Sequence, residues 1–282
     1  MESSLAVSAK GSVPHWRLPP YATICTAMLM VISPAKSLDF TAPDQVLPLT
    51  TPELKTQIAE LAKVTRKLTA ADLRRLMHIS EKLAALNHER FQHFDAAVEE
   101  GLQAVIAFNG DVYAGLNARE LDRPSLEWTQ DHLRILSGLY GVLRPLDALQ
   151  AYRLEMGTRL KTKKGSNLYD FWGETLSKTL NAAAKDHADP TLVNLASQEY
   201  FGAVDAKALK LPVVTCHFKE EKGNTLRVLG FFAKKARGRM ARFAIDNRVD
   251  RAEDLKGFDL DGYKFRQDLS TPGDWVFARL QP

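Results

Sequence analysis

Leu29-Met30-Val31-Ile32-Ser33-Pro34 is a short, continuous apolar run stopped by serine and proline. A run of that length bounded by turn residues predicts a buried strand entering a loop. It also separates two kinds of sequence. Residues 1–27 are rich in Ser, Ala and Pro and lack helical or strand periodicity, so they read as a disordered leader or gene-start extension. From 28 to 282 the chain patterns as one folded domain. The longest apolar stretch, Ala22 to Ile32, is broken by Thr23 and Thr26 and is about half of what a bilayer span requires. Lys10 and Arg17 invite a signal-peptide reading. However, His15, Arg17 and two prolines crowd the place where its apolar run would begin, and no cleavage site follows. The expectation is a cytoplasmic protein without membrane contact.

Downstream of that strand the first quarter is helical. Thr51-Pro52-Glu53-Leu54 opens a helix with apolar Leu54, Ile58, Leu61 and Val64 at helical spacing. Thr69-Ala70-Ala71-Asp72 repeats the start signal, and Ser80-Glu81-Lys82-Leu83 opens a third helix. Further helices are predicted over Ser125–Leu139 and Asp170–Ala184, with a strand at Thr191–Leu195. Pro212–Phe218 and Leu226–Phe232 flank Lys222-Gly223-Asn224 as a hairpin, a basic helix runs from Lys234 to Arg248, and a second hairpin closes around Pro272-Gly273. Helices and strands are interspersed without regular alternation or glycine fingerprints. The expected class is therefore α+β: a single compact domain, a mixed sheet surrounded by helices.

Composition bounds function only loosely. Hydrophobic residues make up 45% and charged residues 26%, as in ordinary soluble domains, and a formal net charge of +4 does not identify a nucleic-acid binder. Cys25 and Cys216 give neither a disulfide framework nor a zinc spacing. His88 and His93 are five apart, where helical metal ligands need three or four. No metal or cofactor is expected.

Four stretches are dense in functional residue types outside any amphipathic pattern. They are Ile32-Ser33-Pro34-Ala35-Lys36-Ser37-Leu38-Asp39, Phe108-Asn109-Gly110-Asp111-Val112-Tyr113-Ala114-Gly115-Leu116, the run from His132 to Gly157, and Phe232 to Arg242. With Leu168-Tyr169-Asp170-Phe171-Trp172-Gly173 and Asn194-Leu195-Ala196-Ser197-Gln198-Glu199-Tyr200-Phe201, they resemble the YaaA peroxide-stress family from residue 30 to about 280. That resemblance implies DNA binding through a positive cleft containing a helix-hairpin-helix element, and protection of DNA when peroxide meets iron.

In Ser137-Gly138-Leu139-Tyr140-Gly141-Val142, two glycines flank a Leu-Tyr pair, as in a hairpin that brings bare amides against a phosphate. Arg134 before it and Arg144 after it add charge. An ordinary helix cap at Gly138 explains the same pattern. Lys234, Lys235, Arg237, Arg239 and Arg242 form a basic run without an acid. Lys235, Arg239 and Arg242 share one helical face, while Lys234 and Arg237 lie beside each other on another. Together with Lys36 at the strand end, these are the candidate DNA-binding residues, acting on phosphates without sequence preference. A solvated basic face is the bland reading. A monomer is the default.

The alternative is an enzyme acting on a small anionic or nucleotide-like ligand in the same cleft. Ser33, Asp111, Tyr113, Arg153, Glu155, Ser197, Glu199 and Tyr200 would make its polar pocket. Ser33 and Lys36 have Ser-x-x-Lys spacing, but Pro34 follows a strand rather than opening a helix. No catalytic residue is nominated, and no Walker, dinucleotide or zinc-protease motif is present.

Overall fold

The expected first strand forms as β1 (Leu29–Ile32), with all four residues buried. It lies at the centre of the structure, a computed structural model that describes residues 28–43, 47–97, 100–223 and 225–281. The leader expected over 1–27 lies outside the described residues. After β1 come β2 (Ser37–Leu38) and three helices, α1 (Lys55–Thr65), α2 (Ala70–Met77) and α3 (Glu81–His93). The hydroxyl caps read from the sequence are in place at two of them. The Thr69 and Asp72 side chains make a reciprocal capping box on α2, and Ser80 Oγ accepts from the Leu83 amide at the start of α3. Next come β3 (Leu102–Gln103), α4 (Ala104–Ala107), β4 (Phe108–Asn109) and α5 (Asp111–Leu116).

The helix expected over Ser125–Leu139 is corrected. It is α6 (Arg123–His132), capped by Asp122, and it gives way to the strand β5 (Leu133–Ser137). All five residues of β5 are buried, including Arg134 and Ser137. Leu133, Leu136 and Leu139 mimic helical spacing, but a strand buried on both faces has no polar side to reveal its period. Gly138-Leu139-Tyr140 then turns the chain into β6 (Gly141–Leu143), which pairs antiparallel with β5. The turn is therefore a β-hairpin and not the helix-hairpin-helix that the family resemblance implied for this segment. Gly141 is required by its backbone, at φ +73°, and the Trp172 ring lies 2.7 Å from where a side chain would start.

Then follow β7 (Ala148–Leu149), α7 (Leu168–Trp172), α8 (Thr175–Ala183), β8 (Leu192–Leu195) and α9 (Gln198–Phe201). The helix expected over Asp170–Ala184 is thus two, separated at Gly173. The chain finishes with β9 (Val213–Lys222), β10 (Thr225–Arg227), α10 (Gly230–Asp246), β11 (Lys264–Phe265) and β12 (Asp274–Leu280). Phe231 and Phe232 belong to α10 rather than to the hairpin strand expected there.

The main sheet has eight strands in the order β11-β12-β9-β8-β1-β5-β6, with β10 on β9. Its centre, β12-β9-β8-β1-β5, is parallel, and the three remaining strands pair antiparallel. This is the mixed sheet of an α+β domain. The strand order reverses beside β1: the chain leaves β1 for β5 on one side, and leaves β8 for β9 on the other. The carboxyl ends of β1 and β8 therefore diverge into loops running in opposite directions, which opens a crevice between them.

Candidate functional site

The crevice is lined by the residues that follow those two strands. Ser33 leaves β1 and Ser197 leaves β8, and the Ser197 amide donates to Ser33 Oγ at 2.8 Å. The Ser33 hydroxyl in turn donates to Ser197 Oγ at 3.3 Å, locking the two strand ends together. The short ladder between β2 and β4 pairs Ser37 with Asn109, which brings the loop after β1 against the start of α5. Tyr113 on α5 donates its hydroxyl to the Ser33 carbonyl at 3.2 Å. α10 supplies the remaining wall. It crosses α5 so closely that a Cβ on Gly238 would lie 1.8 Å from the Val112 carbonyl oxygen. That crossing carries Lys234 and Arg237 to the same cavity as Asp111 and Tyr113.

The result is a cavity of about 440 Å³ lined by Ser33, Lys36, Asp111, Tyr113, Ser197, Glu199, Tyr200, Lys234 and Arg237, among others. Of the eight residues expected in a polar pocket, six line it. Arg153 and Glu155 join through Lys36, whose ammonium lies 2.6 Å from Glu155, while Arg153 holds the same carboxylate at 2.9 Å. Burial pushes the Glu155 carboxyl up, but the Lys36 and Arg153 bonds outweigh it and leave it below its ordinary value. Burial also holds the Tyr113 and Tyr200 hydroxyls well above theirs, so both remain protonated donors. Glu199 accepts from the Gly157 amide at 3.0 Å.

The cations of the cleft differ in what they face. Lys36 is matched by Glu155, and Lys234 lies 3.9 Å from Asp111; both are more than half exposed. Arg237 is different. Its guanidinium makes no ion pair and no hydrogen bond among the described residues, and its Nε is buried without a partner. The ionisable group that bears on it is the Cys216 thiol, which burial pushes up to about 12. A neutral thiol offers no counter-charge. A part-buried arginine whose Nε is left without a partner is costly.

The other expected DNA contacts are occupied elsewhere. Arg134 is buried and donates to the Gln130 and Leu133 carbonyls. Arg144 holds Asp147 at 2.9 Å and approaches Glu53. Gly138, Tyr140 and Gly141 are buried, with Tyr140 only 2% exposed and its hydroxyl accepting from the Gln150 amide. Arg242 is fixed by Asp246 at 2.8 Å and by the Asn117 carbonyl. Arg239 lies 3.4 Å from Asp261, close enough to pair although its Nε makes no hydrogen bond. Lys235 lines a second, smaller cavity with Phe231, Phe232, Asp261, Tyr263 and Arg279. Phe231 is 60% exposed there. The basic run therefore divides: Lys234 and Arg237, expected side by side, both line the cleft, whereas on the other face Lys235 lines the second cavity and Arg239 and Arg242 meet Asp261 and Asp246.

Asn109 and Gly110 also line the cavity, and they fall in a stretch that sequence reading marked without assigning them a role. Their signal was the Asn-Gly-Asp turn itself. Among the described residues, no helix is long and apolar enough to cross a membrane, and no group of three or more His, Cys, Asp or Glu is placed to hold a metal ion.

A UPF0246 protein of Caulobacter sp. (strain K31) is 92% identical over 255 residues, covering 90% of this chain and all of the relative. One from Caulobacter vibrioides (strain NA1000 / CB15N) is 86% identical over the same share of each chain. One from Phenylobacterium zucineum (strain HLK1) is 66% identical, covering 90% of this chain and 96% of the relative. The sequence profile described as peroxide stress protein YaaA matches residues 28–269, so the chain belongs to the YaaA peroxide stress family.

Proposed function

We propose that this protein serves the peroxide stress response by binding DNA through its phosphates, with the cleft at the carboxyl ends of β1 and β8 as the contact site. The observation that carries this reading is Arg237, a guanidinium in the cleft wall without a counter-charge. Lys36 and Lys234, 64% and 58% exposed, stand at the same cleft and add positive charge at its rim. Phosphates carry no sequence information, so recognition is of backbone and shape. Neutralising phosphates releases the cations condensed on DNA. Ferrous ions held in that atmosphere would be released with them, which would reduce radical formation next to the strand. The proposed contact set is Lys36, Lys234 and Arg237; it leaves out Lys235, which lines the second cavity, Gly138, Tyr140 and Gly141, which are buried, and Arg134, Arg144, Arg239 and Arg242, which face partners within the protein.

Salt dependence tests this reading. Lys36→Gln with Lys234→Gln is expected to shrink the slope of log affinity against log salt by about 2, since each phosphate contact contributes roughly 0.9. The loss should be equal for unrelated DNA sequences. Arg239→Gln with Arg242→Gln is expected to leave the slope unchanged and to lower Tm, because those arginines face Asp261 and Asp246. The reverse pattern in fluorescence anisotropy would assign DNA to the other face of α10. Absence of DNA binding at low salt would remove the reading altogether. The alternative, an enzyme for a small anionic ligand, draws on one observation: the cavity wall carries the carboxylates of Asp111 and Glu199 as well as cations.

A further inference from the structure

The cleft is not a uniformly positive trough, and its chemistry selects among phosphate-bearing ligands. Three cations line it, Lys36, Lys234 and Arg237, together with two carboxylates, Asp111 and Glu199. Lys36 is already matched by Glu155, and Lys234 is close to Asp111. Counting Arg153 and Glu155 beside Lys36, four cations face three carboxylates, which leaves a net of one positive charge, and Arg237 is the cation without an ion pair among the described residues. Inside the cavity a run of phosphodiesters would be repelled by Asp111 and Glu199 and would find one unpaired cation, whereas the exposed Lys36 and Lys234 stand at the rim, where strand outside the cavity can reach them. A ligand with one anionic group and several hydrogen-bond donors would satisfy both kinds of lining.

Size points the same way. About 440 Å³ is within the roughly 300–1,000 Å³ typical of small-molecule pockets, and it suits one nucleotide rather than a duplex. Its position, where neighbouring parallel strands diverge, is where open sheets of this kind take such ligands. The guanidinium fork of Arg237 suits a terminal phosphate, which offers several unesterified oxygens to paired N–H donors. Ser197 and Asn109 stand at the same cavity as neutral polar partners.

We infer that this cavity is a site for one nucleoside phosphomonoester, free or at the end of a DNA strand, with its phosphate against Arg237 and its hydroxyl and amino donors against Asp111 and Glu199. The inference rests on the phosphate-binding reading above and narrows it, from internal backbone to terminal phosphate. Lys36 and Lys234 at the rim then serve the flanking strand, and Arg237 serves its end.

Calorimetry with inorganic phosphate, deoxyadenosine and deoxyadenosine 5′-monophosphate tests the pocket on the full chain. The monophosphate is expected to bind at least about tenfold more tightly than the nucleoside, a difference of roughly 1.4 kcal/mol. Arg237→Gln should abolish that preference, and Arg237→Lys, which keeps the charge but not the fork, should restore part of it. Tm of Arg237→Gln should stay level or rise, because the variant removes a part-buried charge that has no ion pair and whose Nε has no partner among the described residues; this separates lost binding from lost folding. Anisotropy with one single-stranded oligonucleotide bearing a 5′-phosphate, a 3′-phosphate or hydroxyls at both ends, and with a closed circle of the same sequence, then identifies the source. Tighter binding of either phosphorylated end assigns the site to strand ends. Monophosphate binding without an end preference assigns it to free nucleotide. Equal affinity for circle and linear strands with no monophosphate binding overturns the inference while leaving backbone binding intact. If neither DNA nor monophosphate binds, both readings fall. Acetate binding as tightly as phosphate would overturn it in favour of a carboxylate site.

Discussion

Gly238→Ala is expected to lower Tm by about 6–12 °C and to abolish binding at the cleft. A Cβ at Gly238 would lie 1.8 Å from the Val112 carbonyl oxygen and 2.7 Å from the Leu116 amide nitrogen, both backbone atoms of α5. The opposing helix has the same feature: a Cβ on Gly115 would lie 2.2 Å from the Lys235 carbonyl oxygen. The two helices thus cross backbone to backbone, and no rotamer change relieves the contact. Overpacking of this kind costs about 3 kcal/mol, and each kilocalorie moves a domain of this size by about 2–4 °C. Intrinsic helix propensity alone predicts the opposite sign, since alanine is favoured over glycine by about 1 kcal/mol. Gly230→Ala is the matched control. It lies in the first turn of α10 with nothing within 4 Å of its Cβ position, so it should be neutral or stabilising. Binding should fail in Gly238→Ala because separating α10 from α5 moves Lys234 and Arg237 away from Asp111 and Tyr113. Equal Tm values for the two alanine variants would overturn a backbone-to-backbone crossing at Gly238.

The crossing also explains what was legible in the sequence. β1, the capping box of α2 and the strand β8 could be read because their signals are local: an apolar run with its stop, or a cap with its reciprocal acid. β5 could not, because burial on both faces erases the alternation that announces a strand. At the cleft, Ser33, Lys36, Asp111, Tyr113, Ser197, Glu199 and Tyr200 stood out as polar types gathered in stretches without a core pattern, and the sheet brings them together. The cations were harder to sort. Arg237 and Arg239 are two residues apart, which on an α-helix turns them to different sides. Which side meets an acid depends on Asp261, which is distant in sequence from both. Arg134 and Arg144 looked like phosphate ligands for a different reason: their partners, the Gln130 and Leu133 carbonyls and Asp147, are near in sequence, but a buried strand and a tight connection do not show in the sequence which side chains turn inward.

Arg144→Gln is accordingly expected to destabilise the fold by about 3–5 kcal/mol while leaving the salt dependence of DNA binding unchanged. Asp147 is fully buried and accepts four hydrogen bonds: from the Thr50 hydroxyl at 2.6 Å, the Arg144 amide at 2.7 Å, and Arg144 Nη2 and Nε at 2.9 and 3.1 Å. Arg144 also donates to the Thr51 carbonyl at 2.8 Å, and the Asp147 carbonyl accepts from the Ala104 amide at 3.0 Å. This one ion pair therefore ties the segment before α1 to the β6–β7 connection and to α4. Removing the guanidinium leaves the Asp147 carboxylate buried with half of its donors, which is the costly way to break a buried pair. Adding Asp147→Asn removes the stranded charge and should recover part of the loss, giving a coupling energy in a double-mutant cycle. If Arg144 instead served a phosphate, the single variant would melt close to the wild type and its salt slope would fall by about 0.9. Thermal melts and anisotropy on the same two variants decide between a strut of the fold and a contact to DNA.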